Sequence, residues 1–290
     1  GRVVEDWHMR AEKLGEGGPG RVDPATEYLL WQTLVGAWPL SAERLADYLT
    51  KAMREAKTHT SWTDPDPGYE AAVGDLASRV LGDQELSASI ASFVASISGD
   101  ALVNSLGVKL VQLTMAGVAD VYQGCELAGL SLVDPDNRRP VDFFWRRSLL
   151  EALDGSDGLD GVDGLDAGTD AADLDAAKLL VTSRTLRLRR DHPDWFTGGY
   201  APLAATGSAA GHVVAFCRGG HAVTVATRLP AGLRRHGGWA DTVLPLPAAG
   251  SPSPTYAWRD VLTGASYEGE LVPLPELTRR LPIALLVPEA

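Results

Sequence analysis

Cysteine is scarce in this 290-residue chain, with Cys125 and Cys217 the two present. Two thiols so far apart in sequence form no disulfide framework, and a reduced, cytoplasmic setting fits best. Positive charge is also in short supply: 26 Lys and Arg stand against 38 Asp and Glu, a net charge of −12. That balance argues against nucleic acid and against anionic membrane surfaces as partners. No apolar run approaches the ~20 residues that span a bilayer. The acids within residues 1–7 break up any apolar core of a secretion signal. There is no phosphate loop and no dinucleotide fingerprint. The histidines (His8, His59, His192, His212, His221, His236) show no metal-ligand spacing with cysteines or acids. Neither a cofactor nor a metal is expected. What remains is the apolar fraction of an ordinary soluble globular protein, 45%.

The acidity that is present is unevenly placed. Eight aspartates and no Lys or Arg lie between Asp154 and Asp175, so the rest of the chain carries about −4. Asp-Gly recurs through this stretch. Such a composition buries almost nothing, and residues 151–177 read as a solvated, disordered linker or insertion. A calcium loop would need ligands at alternate positions and a closing Glu, which this run does not offer.

Before the linker the pattern is largely helical. A helix fragment around Trp7–Leu14 ends in the glycine-rich run at 15–20. Asp23 is placed to cap a helix with Pro24 in its first turn, running to about Trp38 and apolar nearly all round, which implies burial. Ser41 caps the next helix, with Leu45, Tyr48, Leu49, Ala52, Met53 and Ala56 at helical spacing, and Asp47 and Lys51 spaced for an i,i+4 pair. Residues 57–65 form a loop, and Asp66-Pro67 opens another helix. Two more helices are expected over 86–98 and 100–114. Val118–Gly124 then reads as a short strand, the polar run Asp134-Pro135-Asp136-Asn137-Arg138-Arg139-Pro140 as a loop, and Val141 onward as a helix. Strand, polar loop, helix is the repeating unit of an α/β barrel, where the loops after strands carry the site. Residues 178–196 are helical and basic near their end. From 197 to 290 the pattern changes to period two, with a hairpin signal at Arg218-Gly219-Gly220 and further strands near 258–264 and 282–287: an antiparallel β domain.

Several stretches resemble the maltooligosyl trehalose synthases, a family of the α-amylase superfamily. The resemblance is carried by Thr26–Leu30 with Gln32–Pro39, by Lys51–Lys57 running on to Thr60-Ser61-Trp62 and Tyr69-Glu70, and by Asn104–Leu106 with Lys109-Leu110. It continues through Tyr122-Gln123-Gly124 with Glu126-Leu127, Leu130–Phe143, Trp258 with Asp260–Gly264, and Leu281-Pro282 with Ala284–Leu286. The chain departs from the family pattern at Ala116-Gly117-Val118-Ala119, at Cys125 and in the Asp-Gly insertion. The resemblance implies the closing segment of a (β/α)8 barrel with helical elaboration, followed by the β domain. Residues 1–150 would then hold a helical region with the last strand and helix of the catalytic barrel, and 178–196 a barrel-closing helix. It implies an isomerase acting on maltooligosaccharides, converting the reducing-end α-1,4 linkage to α,α-1,1 by intramolecular transglycosylation. The family's catalytic aspartate, glutamate and second aspartate find no match here, so none of these residues is expected to be catalytic. The missing N-terminal part of the barrel is an expected partner.

Two groups of residues are candidates for sugar contact. Asp136, Asn137, Arg138 and Arg139 offer carboxylate, amide and guanidinium groups suited to vicinal hydroxyls. Equally, they could be an ion-pair cluster bracing the loop, with Arg138 on Asp134 or Asp142. Lys57, His59 and Trp62 form a mixed polar and aromatic loop, in which Trp62 could stack on a pyranose or simply cover the core. Glu126 with Asp134 or Asp136 is a far weaker candidate for a catalytic carboxylate pair. The rival functions are another α-amylase-type glycosidase and a non-catalytic carbohydrate-binding subunit.

Overall fold

A computed structural model describes residues 1–16, 18–155, 171–247 and 257–289. They form helices and an antiparallel sheet, in two compact units: residues 1–96 with 130–140, and residues 97–129 with 141–290.

The first unit is helical. α1 (Arg2–Gly15), α2 (Pro24–Ala37), α3 (Ala42–Ala56) and α4 (Pro67–Gly82) follow one another, and the first half of α5 (Gln84–Thr114) completes it. The caps expected from the sequence are made. Asp23 accepts from the amides of Ala25 and Thr26, Ser41 from that of Arg44, and Asp66 from those of Gly68 and Tyr69. These bonds satisfy amides that have no partner within the helix. Trp7, Leu30, Leu34, Leu45, Leu49, Val80 and Ile90 form the core. Trp7 sits at its centre, tilted on Trp31 at 5.5 Å, edge-on to Phe93 at 5.6 Å, its indole N–H donating to Ser89 Oγ at 2.9 Å. α2 is less completely enclosed than its apolar composition suggested: Tyr28, Gln32 and Gly36 make an exposed stripe at i, i+4, i+8.

The second unit joins helices to the sheet. The rest of α5 leads through an irregular stretch to α6 (Phe143–Gly155), with Asp142 Oδ1 accepting from Trp145 N at 2.8 Å. α7 (Ala171–Asp191) and α8 (Pro193–Thr197) come next. β1 (Tyr200–Leu203), β2 (Val213–Arg218) and β3 (Ala222–Thr227) follow, then α9 (Pro230–His236), β4 (Val243–Pro245), β5 (Ala257–Asp260), β6 (Ser266–Glu268), β7 (Leu271–Pro273), α10 (Leu274–Leu277) and β8 (Ile283–Pro288). The main sheet has the order β1-β2-β3-β8-β5-β6, and β4 pairs with β7. The expected hairpin is β2–β3, in register Val213↔Thr227 through Arg218↔Ala222. Ala226, Ile283 and Leu285 face a core shared with Leu102, Leu106 and Leu110 of α5 and Leu179 and Leu180 of α7. Val223, Val225, Ala284 and Leu286 point the other way, toward Leu244, Leu246, Trp258 and Val272. Covering on both faces explains why β3 is buried along its whole length. It also explains why the sheet is not a domain separate from the preceding helices, as the change of periodicity had suggested.

Asp260 ties the sheet to its turn. It is wholly buried and accepts from Leu262 N at 3.0 Å, Leu285 N at 3.0 Å and the Thr263 hydroxyl at 2.6 Å. Burial pushes its carboxyl up, and these bonds work against that. Arg184 of α7 donates to the carbonyls of Val261 and Leu262 in the same turn, at 3.2 and 2.7 Å.

Four other expectations differ from the fold. Residues 86–98 and 100–114 are one helix, α5, in which Gly99 is carried as an interior residue rather than a break. By length and composition α5 could cross a membrane, and only 17% of its apolar window is buried, so the lack of a long apolar run does not remove such a helix. Residues 118–124 are irregular rather than a strand, and Val118 is 97% exposed. A strand needs a neighbour to hydrogen-bond to, and none of the described residues pairs with this stretch. The acidic stretch begins in α6 at Asp154 and ends in α7, whose first turns take up residues 171–177; residues 156–170, on which the linker expectation mostly rests, lie outside the described residues.

α1 is held to α2 by a titratable contact. His8 Nδ1 lies 2.8 and 3.0 Å from the two oxygens of the buried Glu27, whose Oε1 also accepts from Trp31 Nε1 at 3.1 Å. The hydrogen bond to Glu27 and its charge raise the His8 pKa, with burial opposing and Glu12 adding a little. A raised histidine pKa stabilises the fold fully below the unfolded value near 6.5, and that stability is lost as pH rises through the folded value. The urea midpoint should therefore fall from pH 6 to pH 8 in the natural chain and fall less in His8→Gln. Equal slopes in the two proteins would remove the pair as its source.

Candidate functional site

The residues singled out by sequence gather in the helical unit, around α3. Its amphipathic pattern buries Leu45, Leu49 and Met53 and leaves Arg44, Asp47, Tyr48 and Lys51 facing a groove. The other wall of this groove, of about 410 Å3, is Val133, Asp134, Pro135, Asp136 and Arg139. The polar heptapeptide contains one short turn of 3-10 helix, Asp136–Arg138, and is otherwise irregular.

Ion pairs fix its shape. Arg44 Nε and Nη2 donate to the two oxygens of Asp136, each at 2.9 Å, and Nη2 also reaches Leu130 O at 2.8 Å. Asp136 Oδ2 accepts from Leu132 N at 2.7 Å, and Arg139 Nε lies 3.2 Å from Oδ1. The Arg44 hydrogen bonds, with help from Leu132 N and Arg139 and against some burial, hold the Asp136 carboxyl at about 2. Arg138 pairs with Asp134, as the bracing alternative supposed, while Asp142 serves α6 instead. Lys51 donates to the Asp134 carbonyl and lies 3.9 Å from its carboxylate and 3.8 Å from Glu55. The expected Asp47–Lys51 pair gives way to these contacts. Asn137 Oδ1 is enclosed and accepts no hydrogen bond. Arg138 and Arg139 remain mostly exposed, so bracing the loop leaves guanidinium edges accessible.

The second group lies at the C-terminal end of α3. Lys57 is the αL cap (φ 56°, ψ 28°) and is exposed. The His59 ring lies tilted against Tyr69, centroids 4.5 Å apart, with Nε2 3.5 Å from Asp23 Oδ2. Tyr69 donates its hydroxyl to Asp23 and shares a 2.8 Å hydrogen bond with Thr26 Oγ1. Burial pushes the Asp23 carboxyl up, but hydrogen bonds from Tyr69, Thr26 and Ala25 outweigh it and hold it at about 2. Burial and the neighbouring Asp23 push the Tyr69 phenol up to about 12. These residues line a small cavity of about 220 Å3 with Leu29, Ala52, Met53 and Thr58. Trp62 is 58% exposed, with the Arg54 guanidinium 4.8 Å over its ring. Arg54 in turn donates to both oxygens of Glu70 at 2.8 and 2.7 Å, and Thr60 donates to the same carboxylate at 2.7 Å. Trp62 does not cover the core; it is a surface indole steadied on one face by a cation.

Sequence reasoning missed Arg44, Asp23 and Arg54 as members of these clusters. Arg44 and Lys51 share a face of α3, one heptad apart, which was the available signal. Of the candidate carboxylates, Asp136 is held ionised by Arg44, and Glu126 is paired with Arg146 at 3.2 Å. A general acid needs its pKa raised toward the working pH, the reverse of what Arg44 does. Among the described residues no group of three or more His, Cys, Asp or Glu could hold a metal.

Losing Arg44 should loosen the heptapeptide. Arg44→Ala leaves a largely enclosed carboxylate short of two donors, at a cost of about 1–3 kcal/mol in urea unfolding near pH 7. A depressed carboxyl pKa stabilises above the unfolded value of about 3.9 and ceases to as pH falls toward the folded value. The difference between natural chain and variant should therefore shrink below pH 4. A difference that persists unchanged to pH 2.5 would show that Arg44 acts through packing alone.

No family model matches the chain. It is 41% identical over 273 residues to a Mycobacterium tuberculosis protein provisionally named a maltooligosyl trehalose synthase, an alignment covering 91% of this chain and 32% of that protein. The solved structure of maltooligosyltrehalose synthase from Arthrobacter ramosus matches 98% of this chain and 35% of its own, at 41% identity and a TM-score of 0.81. A hypothetical maltooligosyl trehalose synthase of Sulfolobus tokodaii matches 99% of this chain and 34% of its own, at 25% identity and a TM-score of 0.68. The chain thus spans about a third of the length of the relatives it matches. By sequence and by fold it is related to the maltooligosyl trehalose synthases over that third of their length.

Proposed function

We propose that the chain is the C-terminal portion of a maltooligosyl trehalose synthase, an isomerase of the α-amylase type. The whole enzyme converts the reducing-end α-1,4 linkage of a maltooligosaccharide to α,α-1,1 by intramolecular transglycosylation. The observation that carries this reading is the likeness to the Arthrobacter ramosus structure across 98% of the chain. In this reading the catalytic acids are supplied from outside these residues, and residues 118–124 are the last barrel strand, paired once the rest of the barrel is in place. The exposure of Val108, Val118, Tyr122 and Phe144 supports such a partner, because isolated chains rarely leave so many large apolar groups in water. We place the enzyme in the cytoplasm, in keeping with two unpaired cysteines.

The helical unit then positions sugar. Arg138, Arg139 and Asn137 meet hydroxyls from a loop whose base is fixed by Asp136. Lys57, His59 and the free face of Trp62 take a glucose ring. Both tasks orient substrate and exclude water rather than transfer protons.

Alone, the chain should leave maltopentaose unchanged; non-reducing product that survives repurification would place the catalytic acids within it and sink this reading. In an enzyme carrying the remaining two thirds, Arg138→Ala should lower turnover about ten- to a hundredfold, or shift the products from isomerisation to hydrolysis, if one charged hydrogen bond of about 1–3 kcal/mol is used in the transition state. Normal turnover with a lowered unfolding midpoint would reduce Arg138 to a brace.

A further inference from the structure

The loop between α3 and α4 carries an indole with one face occupied and the other open. Trp62 is 58% exposed, and the Arg54 guanidinium lies 4.8 Å over its ring. Arg54 is itself fixed, with Nε and Nη2 forking onto the two oxygens of Glu70 at 2.8 and 2.7 Å. Glu70 sits in the first turn of α4 and is held further by the Thr60 hydroxyl at 2.7 Å. Thr60 is buried, and its Oγ1 accepts from Asp66 N at 3.0 Å, at the cap of the same helix. Beyond it the chain turns back on itself: Ser61 N donates to Asp64 O at 3.1 Å, and Asp64 N to Ser61 Oγ at 3.0 Å. The backbone on both sides of Trp62 and the cation against its ring are thus pinned to α4. All of these groups belong to the helical unit.

A surface tryptophan is ordinarily free to turn, and ordering it on binding costs affinity. Here that order exists before any ligand arrives. The hydrogen bonds from Arg54, then that from Thr60, hold the Glu70 carboxyl at about 2, so the fork persists across the neutral range. A π face opposite a guanidinium disfavours a second cation and stays suited to neutral C–H groups, which a pyranose ring presents. We propose that Arg54 is a positioning residue that holds Trp62 open for a glucose ring, and that this chain binds maltooligosaccharide without the catalytic acids. The proposal rests on the function inferred above for the sugar it names. It adds a binding step that needs no other part of the enzyme.

The chain is labelled with a nitrogen isotope in its eight tryptophan indoles, and the Trp62 N–H signal is identified by its loss in Trp62→Phe. Maltopentaose should shift that signal saturably, while sorbitol, which has hydroxyls but no ring face, should not. Arg54→Gln should weaken maltopentaose binding about two- to fivefold, the ratio that corresponds to one exposed cation–π contact. It should also speed the motion of the Trp62 indole seen in nitrogen relaxation. Glu70→Gln, which loosens the fork but keeps the cation, should move both in the same direction and serves should Arg54→Gln not fold. A purely structural Arg54 would lower the thermal midpoint and leave affinity and indole motion unchanged. That result in a folded variant, an equal shift with sorbitol, or no saturable shift up to the solubility limit of maltopentaose overturns the proposal. The assigned reaction is tested separately, by turnover in the enzyme carrying the remaining two thirds. Turnover without binding at Trp62 would remove this inference and leave that reaction standing; binding at Trp62 without turnover would do the reverse.

Discussion

The Asp136 carboxylate holds together a segment that has almost no regular structure of its own. A short 3-10 turn is the only hydrogen-bonded element in the polar heptapeptide, so its shape is set by what Asp136 accepts: two donors from Arg44, the Leu132 amide and Arg139. The groove beside α3 exists because this contact holds one wall against the other. The same contact decides the chemistry open to the residue. An anion held at about 2 orients and anchors; it does not donate protons near neutrality.

A parallel logic runs at the end of α3. Glu70 is held at about 2, chiefly by Arg54 and next by Thr60, and the other side of Arg54 steadies Trp62. One guanidinium thus links a buried-side carboxylate to a solvent-facing aromatic. Charged groups in this unit are spent on geometry, in pairs and forks, and the surfaces they leave are amide, guanidinium and indole. In the function proposed above, these are the surfaces that meet sugar hydroxyls.

Much of this could be read from the sequence where the signal was local. Asp23-Pro24, Ser41 and Asp66-Pro67 each start a helix because a cap needs only the next three residues. The Arg218-Gly219-Gly220 signal marks a hairpin for the same reason. Contacts distant in sequence were not legible. Arg44 and Asp136 are 92 positions apart, and nothing in either neighbourhood announces the other. Residues 118–124 show the converse error: their apolar pattern is that of a strand, but pattern specifies only a side chain's preference, and a strand also needs a partner backbone. The sheet was taken as a separate domain because periodicity reports which element a residue belongs to, not what packs on its far face. Leu285 and Ala284 look alike in sequence, yet one meets helices and the other meets the small β4–β7 ribbon.

Asp260 lies beyond the reach of solvent but is wired to two backbone amides, those of Leu262 and Leu285. Adding a proton to the carboxyl would weaken both hydrogen bonds at once, and the two amide protons sit on different segments of chain. Their resonances in a nuclear magnetic resonance spectrum form a built-in electrometer for the centre of the sheet. A paired upfield movement of Leu262 and Leu285 would record the ionisation state of a group that no external probe can touch.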